Sequence, residues 1–408
     1  MSKTSRAEAR DKLMSGAAWE EFCDRLKALG SEVLRPDVPG GELERAEGYR
    51  HLTRILGYAL DYAIEHSDVD RPIFHPHPRL SAKWGGDQPD NLYQHAAIDG
   101  SLSYRIRGQR GTVHDFVMSA SSCGEMEPPG TGGRRGKPSR VFSEISTRDI
   151  EFEPDGSFEI VASPDEHPGN WLPTHPDVGS ILVRQYFSDW DRQRGAQFFI
   201  ERVGFEGSSP PPLDPAGMAG LLDDVSVWLE QSRPYWTRWM HQEHYRHPPN
   251  TAKPMGKVDL GARALYYGQG RFDVAPGQAV VYESEIPDAS YWQVSLLNFW
   301  FETLDYANHQ SCLNMDQIHC DADGRFRLVI ALEDPGVQNW LDPAGHRSGA
   351  LQYRFLFPNT TPEPGMRTVP LERLGEELPA DTPRIGPERR REAIYRRRQH
   401  VLRRYHLY

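Results

Sequence analysis

The amino-acid sequence contains an internal repeat, and its two copies begin at Asp155 and Asp323, 168 residues apart. The first copy reads Asp-Gly-Ser-Phe-Glu-Ile-Val and the second reads Asp-Gly-Arg-Phe-Arg-Leu-Val. A repeat kept at this spacing predicts two structural units of one kind. An Asp-Gly pair flanked by alternating apolar residues is typical of a β-hairpin turn, so both units are expected to consist of antiparallel strands.

The repeat extends in both directions from this turn. Downstream, Asn170-Trp171-Leu172 returns as Asn339-Trp340-Leu341, and Arg184 returns as Arg354, with the register slipping by one and then two residues. Upstream, the 168-residue offset matches Tyr104, Ile106 and Val113 with Phe272, Val274 and Val281. The sequence therefore predicts a mainly β, α+β fold that contains two related antiparallel β-sandwich units.

Length and composition agree with such a fold. At 408 residues the chain exceeds the roughly 250–300 residues that one hydrophobic core supports, so two cores are expected. The 33 Pro and 36 Gly residues suit an all-β chain with many turns better than a helical bundle. A net charge of −11 argues against general nucleic-acid binding.

Other features predict the protein's surroundings. No run approaches the ~18 apolar residues of a membrane span, and the N-terminal segment lacks the apolar stretch of a signal peptide. The cysteines at 23, 123, 312 and 320 are scattered, which is typical of reduced thiols. We therefore expect a cytoplasmic protein with neither a membrane nor a nucleic acid among its partners.

The chain divides into five predicted segments. Residues 1–90 are expected to form helices and a Pro-rich connector, 91–204 the first β unit, 205–261 a helical bridge, 262–360 the second β unit, and 361–408 a tail ending in a basic helix. The Gly/Pro-rich stretch 119–139 is expected to be a surface flap. The apolar face of the basic helix is expected to dock on a neighbouring subunit, giving a homo-oligomer, or on the protein's own acidic body.

The residues that the two copies share admit two interpretations. They could bind the polar end of a small-molecule substrate, or they could be framework in which Asn caps a loop and Trp closes the end of a sandwich. Presence in both copies favours framework. The residues in question are Asn170, Trp171, Arg184, Asn339, Trp340 and Arg354.

A second polar group occurs only in the first copy. Its histidines and carboxylates could supply a general acid and base, and its tyrosine and arginine could orient a substrate. The alternative is a solvated strand edge with turn-forming Asp residues. The predicted catalytic residues are His95, His114, Asp90, Asp99 and Asp115, and the predicted substrate-binding residues here are Tyr93 and Arg105.

Metal and cofactor sites are weakly indicated. His241 and His244 share a helix face and could bind a divalent metal, although their spacing is not that of a His-Glu-x-x-His site. His75-Pro76-His77 is rigid and could place two imidazoles together. Neither a phosphate-binding loop, a Gly-x-Ser-x-Gly elbow nor a Gly-x-Gly-x-x-Gly turn is present, so no nucleotide cofactor is predicted.

Residues 262–358 resemble a bacterial family known as domain of unknown function 1214. The resemblance implies a β-sandwich, a bacterial origin and no settled activity, and the first unit looks like the N-terminal half of longer members. The sequence departs from the family pattern at His309, where Arg is more usual, and at Asp342, where Pro is usual. The resemblance rests on Pro287-Asp288, Tyr291-Trp292, Asn308-His309-Gln310-Ser311, Asp323-Gly324, Asn339-Trp340-Leu341 and Arg354.

The sequence favours an enzyme of the lyase or hydrolase type that acts on a small organic molecule. The alternative is a non-catalytic ligand-binding or assembly protein with a β-sandwich binding face. A closed cavity with polar groups beside Tyr93 and His95 would favour catalysis, and a shallow aromatic groove there would favour binding.

Overall fold

The computed structural model describes residues 3–122, 140–258 and 261–406. Residues 123–139, which include Cys123 and most of the predicted flap, lie outside the described residues. The described α-helices are α1 (Lys3–Ser15), α2 (Ala17–Leu29), α3 (Glu42–Leu60), α4 (Pro215–Met240), α5 (Leu374–Glu377) and α6 (Pro387–Arg404).

The first unit is a sandwich of two sheets. Sheet 1 has the strand order β1-β7-β3-β4 and sheet 2 the order β6-β5-β2-β8, and apolar side chains of both meet in one core. The pairs are antiparallel except β5–β6, which is parallel. The strands are β1 (Asn91–Ala97), β2 (Tyr104–Gln109), β3 (Asp115–Ser122), β4 (Arg140–Ser146), β5 (Ser157–Ser163), β6 (Trp171–Pro173), β7 (Ser180–Tyr186) and β8 (Gln197–Arg202).

The second unit has the same layout. Sheet 3 has the order β13-β12-β16-β10-β9 and sheet 4 the order β15-β14-β11-β17, again around a shared core and again with one parallel pair, β14–β15. The strand β17 lies beyond the predicted end of this unit and completes its sheet. The strands are β9 (Thr251–Ala252), β10 (Leu265–Asp273), β11 (Gln278–Glu285), β12 (Tyr291–Leu297), β13 (Cys312–Asn314), β14 (Arg325–Ile330), β15 (Trp340–Leu341), β16 (Ser348–Leu356) and β17 (Gly365–Pro370).

The mainly β, two-sandwich prediction is confirmed, and the pairing refines the predicted repeat. Strand β7 pairs with β1 and β3, and β16 pairs with β10 and β12, so these strands are equivalent. By the same criterion β2, which carries Tyr104, is equivalent to β11. Phe272, the predicted match of Tyr104, lies on β10 instead, because the connections between strands differ in length. A common origin of the two units stays a prediction.

The two sandwiches stack through sheets 1 and 3. Side chains alternate along a strand, so residues that point away from one core point toward the other sandwich. Val117 and Tyr186 of sheet 1 pack there against Leu265, Tyr291 and Leu356 of sheet 3. The four sheets therefore form four layers, and the space between the middle two is bounded by both copies of the repeated unit.

Helices cover the edges of this stack. Helices α1 to α4 share a separate apolar core that includes Phe22, Tyr58, Tyr62, Val225 and Trp228. No helix among the described residues is long and apolar enough to span a membrane.

The basic helix α6 docks on the protein's own body. Three arginines spaced seven residues apart are buried: Arg390 donates to Gln310 Oε1 at 2.8 Å, Arg397 to the carbonyl of Cys312 at 3.1 Å, and Arg404 to the carbonyl of Asn91 at 3.2 Å. These bonds join the helix to both sandwiches. Assembly of a homo-oligomer through the exposed face of α6 stays a prediction.

Replacing Arg404 with Leu is expected to lower the free energy of unfolding by about 2 kcal/mol, because the buried carbonyls of Pro89 and Asn91 lose their donor. Urea denaturation measures this change. The matched control is Arg398→Leu, since Arg398 is exposed on the same helix and should change stability by less than about 0.5 kcal/mol. Equal losses in both variants would contradict the role given to Arg404.

Candidate ligand chamber

A cavity of about 140 Å³ lies between sheets 1 and 3. We call it the chamber. Because the side chains of β1, β7, β10 and β16 alternate, every second residue of each strand is directed away from its own core and into this space. The residues that line the chamber are Pro78, Trp84, Gly85, Gly86, Asp87, Tyr93, His95, Leu182, Arg184, Trp236, Trp239, Val258, Gly261, Leu265, Tyr267, Gln269, Phe301, Gln352 and Arg354.

The polar wall of the chamber is built twice from equivalent positions. Tyr93 of β1 lies opposite Arg184 of β7, and Tyr267 of β10 lies opposite Arg354 of β16. Two residues along, His95 corresponds to Gln269. The repeat thus places two tyrosines and two arginines on facing sheets, and the copies differ at the His/Gln position.

The other walls are aromatic. Trp236 lies 5.1 Å from Phe301 and 5.5 Å from Trp84, measured between ring centroids. The backbone passes close to these rings at Gly86, where φ is +66° and a Cβ would lie 2.5 Å from Phe301 Cζ. Only glycine fits such a position, so the loop can carry its carbonyl groups into the chamber.

Arg354 is a buried cation that has no anionic partner among the described residues. It is 4% exposed, and its guanidinium donates to Gln352 Oε1 at 2.5 Å, to Gln88 Oε1 at 3.4 Å and to the carbonyl of Gly86. Within the described part of the chain no carboxylate forms an ion pair with it, and its Nε has no hydrogen-bond partner. A buried charge held only by neutral oxygens gains most from an added anion.

Arg184 is compensated indirectly. This arginine is 8% exposed and donates to Ser119 Oγ at 3.1 Å, and Ser119 donates to Glu144 Oε1 at 2.8 Å. The hydroxyl of Ser119 therefore lies between the carboxylate of Glu144 and the guanidinium of Arg184. Asp87, the one carboxylate among the described lining residues, accepts bonds from the Thr303 backbone N–H at 3.0 Å and from its hydroxyl at 2.5 Å. Among the described lining residues, the two arginines outnumber the one carboxylate, which leaves an excess of positive charge.

Tyr93 and His95 are both neutral in this setting. Burial raises the pKa of Tyr93 to about 12, and its hydroxyl accepts the Gln88 backbone N–H at 3.1 Å, which leaves the hydroxyl proton free to donate. Burial, with the nearby charge of Arg184, lowers the pKa of His95 to about 3. His95 Nδ1 lies 3.4 Å from the hydroxyl of Tyr62.

Three predicted catalytic residues lie outside the chamber, between the sandwiches. Asp90 is fully buried, which raises its pKa, and it accepts bonds from Trp190 Nε1 at 2.7 Å and from the Tyr291 hydroxyl. The Nε2 atom of His114 lies 2.8 Å from the carbonyl oxygen of Ser290. Asp115 accepts a bond from the hydroxyl of Thr147, and burial raises its pKa. These contacts give each residue a structural role.

Two further predicted residues also lie away from the chamber. Asp99 closes the turn between β1 and β2 by accepting the Ser101 backbone N–H at 3.0 Å. Arg105 lies on the outer side of sheet 2, where it is 3.5 Å from both Glu159 and Glu201. Neither residue is brought near Tyr93 or His95.

The repeated asparagines make the same three bonds in both sandwiches. Asn170 accepts a hydrogen bond from the Glu151 N–H at 2.8 Å and donates to the carbonyls of Glu151 and Glu159. Asn339 accepts from the His319 N–H and donates to the carbonyls of His319 and Arg327. The tryptophans after them, Trp171 and Trp340, donate to the carbonyls of Ser163 and Ala331. These contacts are framework contacts, and these four residues do not line the chamber.

Asn339→Ala is expected to lower the free energy of unfolding by about 2–3 kcal/mol, since three partly buried bonds to backbone groups are lost. Asn170→Ala should cost less, because Asn170 is only half-buried. Chemical denaturation measures both values. A larger effect at Asn170 than at Asn339 would contradict this role.

Within the described residues, the predicted helical histidine pair is not joined by a third potential metal ligand. His244 is buried, donates from Nδ1 to the Gly270 carbonyl at 3.0 Å, and has its pKa lowered to about 4 by burial. Among the described residues, neither His241 nor His244 belongs to a group of three potential metal ligands. One such group includes His75, which belongs to the rigid His75-Pro76-His77 segment that the sequence analysis singled out.

Four of the residues that line the chamber were among the predicted site residues. They are Tyr93, His95, Arg184 and Arg354, although both arginines were favoured as framework. Tyr267 was missed, and so was the loop from Trp84 to Asp87. The pair Gly85-Gly86 beside an aromatic residue was the pattern that could have indicated a close backbone approach.

Comparison with known proteins supplies relatives but no activity. A sequence model of the family described as "Protein of unknown function (DUF1214)" matches residues 136–189, in the first unit, whereas the sequence resemblance pointed to residues 262–358. No curated protein matches the chain significantly.

One solved structure is similar over almost the whole chain. An uncharacterized protein from Burkholderia cenocepacia is 34% identical, with a TM-score of 0.81, over 89% of this chain and 99% of that one. The VPA0106 protein from Vibrio parahaemolyticus is 11% identical with a TM-score of 0.43, over 78% and 98% of the two chains. The second likeness is too distant to support an argument.

Proposed function

We propose that this chain, whose residues 136–189 match the DUF1214 family, binds in the chamber a small organic carboxylic acid whose body is about the size of one ring. The observation that carries the proposal is Arg354, a buried guanidinium with no anionic partner among the described residues. A guanidinium binds a carboxylate through parallel hydrogen bonds that are stronger than bonds to neutral acceptors.

The remaining lining supports an acid rather than a simple inorganic anion. Tyr93 can donate its hydroxyl proton to a carboxylate oxygen, and Arg184 adds a second positive charge. Opposite them, Trp236, Trp239 and Phe301 offer apolar surface. An anion with an apolar body uses both walls, whereas phosphate or sulfate would leave the aromatic wall uncovered.

The size of the chamber limits the ligand. Its volume of about 140 Å³ is close to that of cavities of ~150 Å³ that hold one benzene ring. A monocyclic acid therefore fits inside the chamber.

Calorimetric titration of the full chain with benzoate, benzamide and acetate tests this proposal. Benzoate is expected to bind roughly 10- to 100-fold more tightly than benzamide, since one charge-assisted hydrogen bond contributes about 1.5–3 kcal/mol. Acetate is expected to bind more weakly than benzoate because it lacks the ring. Equal affinities for acid and amide, or no binding of benzoate at millimolar concentration, would overturn the proposal.

A second candidate function is catalysis of the lyase or hydrolase type on the bound acid. It is favoured by the imidazole of His95, which lines the same wall as Tyr93 and Arg184 and is replaced by Gln269 in the second copy. Mass spectrometry of bound acids after incubation tests it. The variant His95→Gln should still bind the acid but should no longer convert it. If the unmodified protein also leaves the acid unchanged, the non-catalytic alternative is favoured.

A further inference from the structure

A cluster of polar side chains lies on the side of β1 where helix α3 ends. The helix continues beyond Leu60 as a π-helical turn, Asp61–Glu65, and His66 follows it. His75 is held beside β1 by two backbone hydrogen bonds to His95, both 3.0 Å long. Asp61, His66 and His75 each present one potential ligand atom, and these atoms lie within 4.8 Å of one another.

His75 is the unusual member of this cluster. It is 3% exposed, and neither of its ring nitrogens has a hydrogen-bond partner within the described residues. Its ring stacks on that of His66 with the centroids 4.2 Å apart. Buried polar atoms are nearly always satisfied, so an imidazole with two unpaired nitrogens indicates a missing partner.

Asp61 is held by its other carboxylate oxygen. Oδ2 accepts a bond from His77 Nε2 and lies 3.5 Å from the guanidinium of Arg79, whereas Oδ1 faces His66 Nε2 at 3.6 Å. One oxygen is thus fixed by neighbours and the other points into the cluster. A carboxylate oriented by a histidine in this way is common around metal ligands.

We propose that Asp61, His66 and His75 bind one divalent transition-metal ion, with Zn²⁺ as the best match. Two imidazoles and a carboxylate are a frequent ligand set for zinc with one position open. Ligand atoms around tetrahedral zinc lie about 3.4 Å apart, so the cluster has to close slightly around the ion. Asp61 and His66 are only half-buried, which leaves a route for the ion and room for water as fourth ligand.

The test is a titration of chelator-treated, full-length protein with Zn²⁺, with the bound metal counted by plasma mass spectrometry. One equivalent per chain is expected. His75→Gln and His66→Gln should each weaken binding roughly 100-fold or more. His66 is partly exposed, so its variant should fold normally, and circular dichroism checks this. Co²⁺ in place of Zn²⁺ should show the visible absorption of a low-coordinate site.

Two control variants separate this site from the alternatives. His241→Gln tests the helical pair, and His319→Gln tests the group His319, Asp321 and Asp381, whose Asp321 is already paired with Arg327 at 2.7 Å. Both controls should bind Zn²⁺ as the unmodified protein does. Loss of the metal in either control, or its retention in both His66→Gln and His75→Gln, would overturn the assignment, as would the absence of any bound Zn²⁺. The outcome is independent of carboxylate binding in the chamber.

Discussion

The variant Arg184→Gln/Arg354→Gln is expected to bind benzoate at least roughly 100-fold more weakly than the unmodified protein. Each guanidinium supplies charge-assisted hydrogen bonds that contribute about 1.5–3 kcal/mol, and a neutral amide at either position loses most of that energy. Arg354→Gln alone should account for the larger share, because Arg184 is already coupled to Glu144 through Ser119. Calorimetric titration gives these ratios directly.

Two further variants control this experiment. Arg105→Gln removes an arginine that forms ion pairs on the outer side of sheet 2, and benzoate affinity should stay within a factor of two. Arg354→Lys keeps the charge but loses the paired geometry of the guanidinium, so intermediate affinity is expected. Equal losses in Arg105→Gln and Arg354→Gln would show that net charge, and not the chamber, governs binding.

Acidification from pH 7 to pH 5 is expected to lower the free energy of unfolding by about 2 kcal/mol for each of His244 and His400, about 4 kcal/mol together. Burial lowers the pKa of His244 to about 4 and that of His400 to about 2. Below the unfolded-state value of about 6.5, the unfolded chain binds protons that the folded protein does not. Stability therefore decreases as the pH is lowered from 7 to 5. Above pH 7 the contribution of these two histidines to the pH dependence vanishes.

The contacts of these two imidazoles give the physical reason. His400 donates from Nδ1 to the Trp190 carbonyl, and its Nε2 accepts from Arg404 Nε at 3.1 Å, so a proton on Nε2 would face a guanidinium. Urea denaturation at several pH values measures the dependence. In the double variant His244→Gln/His400→Gln, the loss of unfolding free energy between pH 7 and pH 5 should be smaller by about 4 kcal/mol. In the control His167→Gln, which replaces an exposed histidine, this loss should be unchanged. A double variant with the slope of the unmodified protein would contradict the assignment.

The sequence predicted the layers of the fold because the repeat and the strand alternation are local patterns. The strands that follow Asp155-Gly156 and Asp323-Gly324 are placed as expected, but no described strand leads directly into either turn, so the predicted hairpins are not formed. The predicted match of Tyr104 with Phe272 failed because the true equivalence depends on strand pairing, and chain separation does not reveal it. The stacking of sheets 1 and 3 depends on contacts between distant residues and was not predicted.

The site was predicted in part for a related reason. Divergence between the copies pointed toward His95, which lines the chamber, whereas Tyr93 has a counterpart, Tyr267, in the second copy. The same argument discounted shared residues, and Arg184 and Arg354 were therefore favoured as framework although both line the chamber. Asn170 and Asn339 are also shared by both copies and were also favoured as framework, and the contacts that they make are framework contacts. Whether a shared residue faces a core, a turn or a neighbouring sheet depends on packing that one sequence does not show.

The most direct measurement is a crystal structure of the protein grown with benzoate. We expect the ring to be stacked among Trp236, Trp239 and Phe301, with the carboxylate within hydrogen-bond distance of Arg354 and close to Arg184. An empty chamber at saturating benzoate, or benzoate bound with its carboxylate turned away from both arginines, would contradict this expectation.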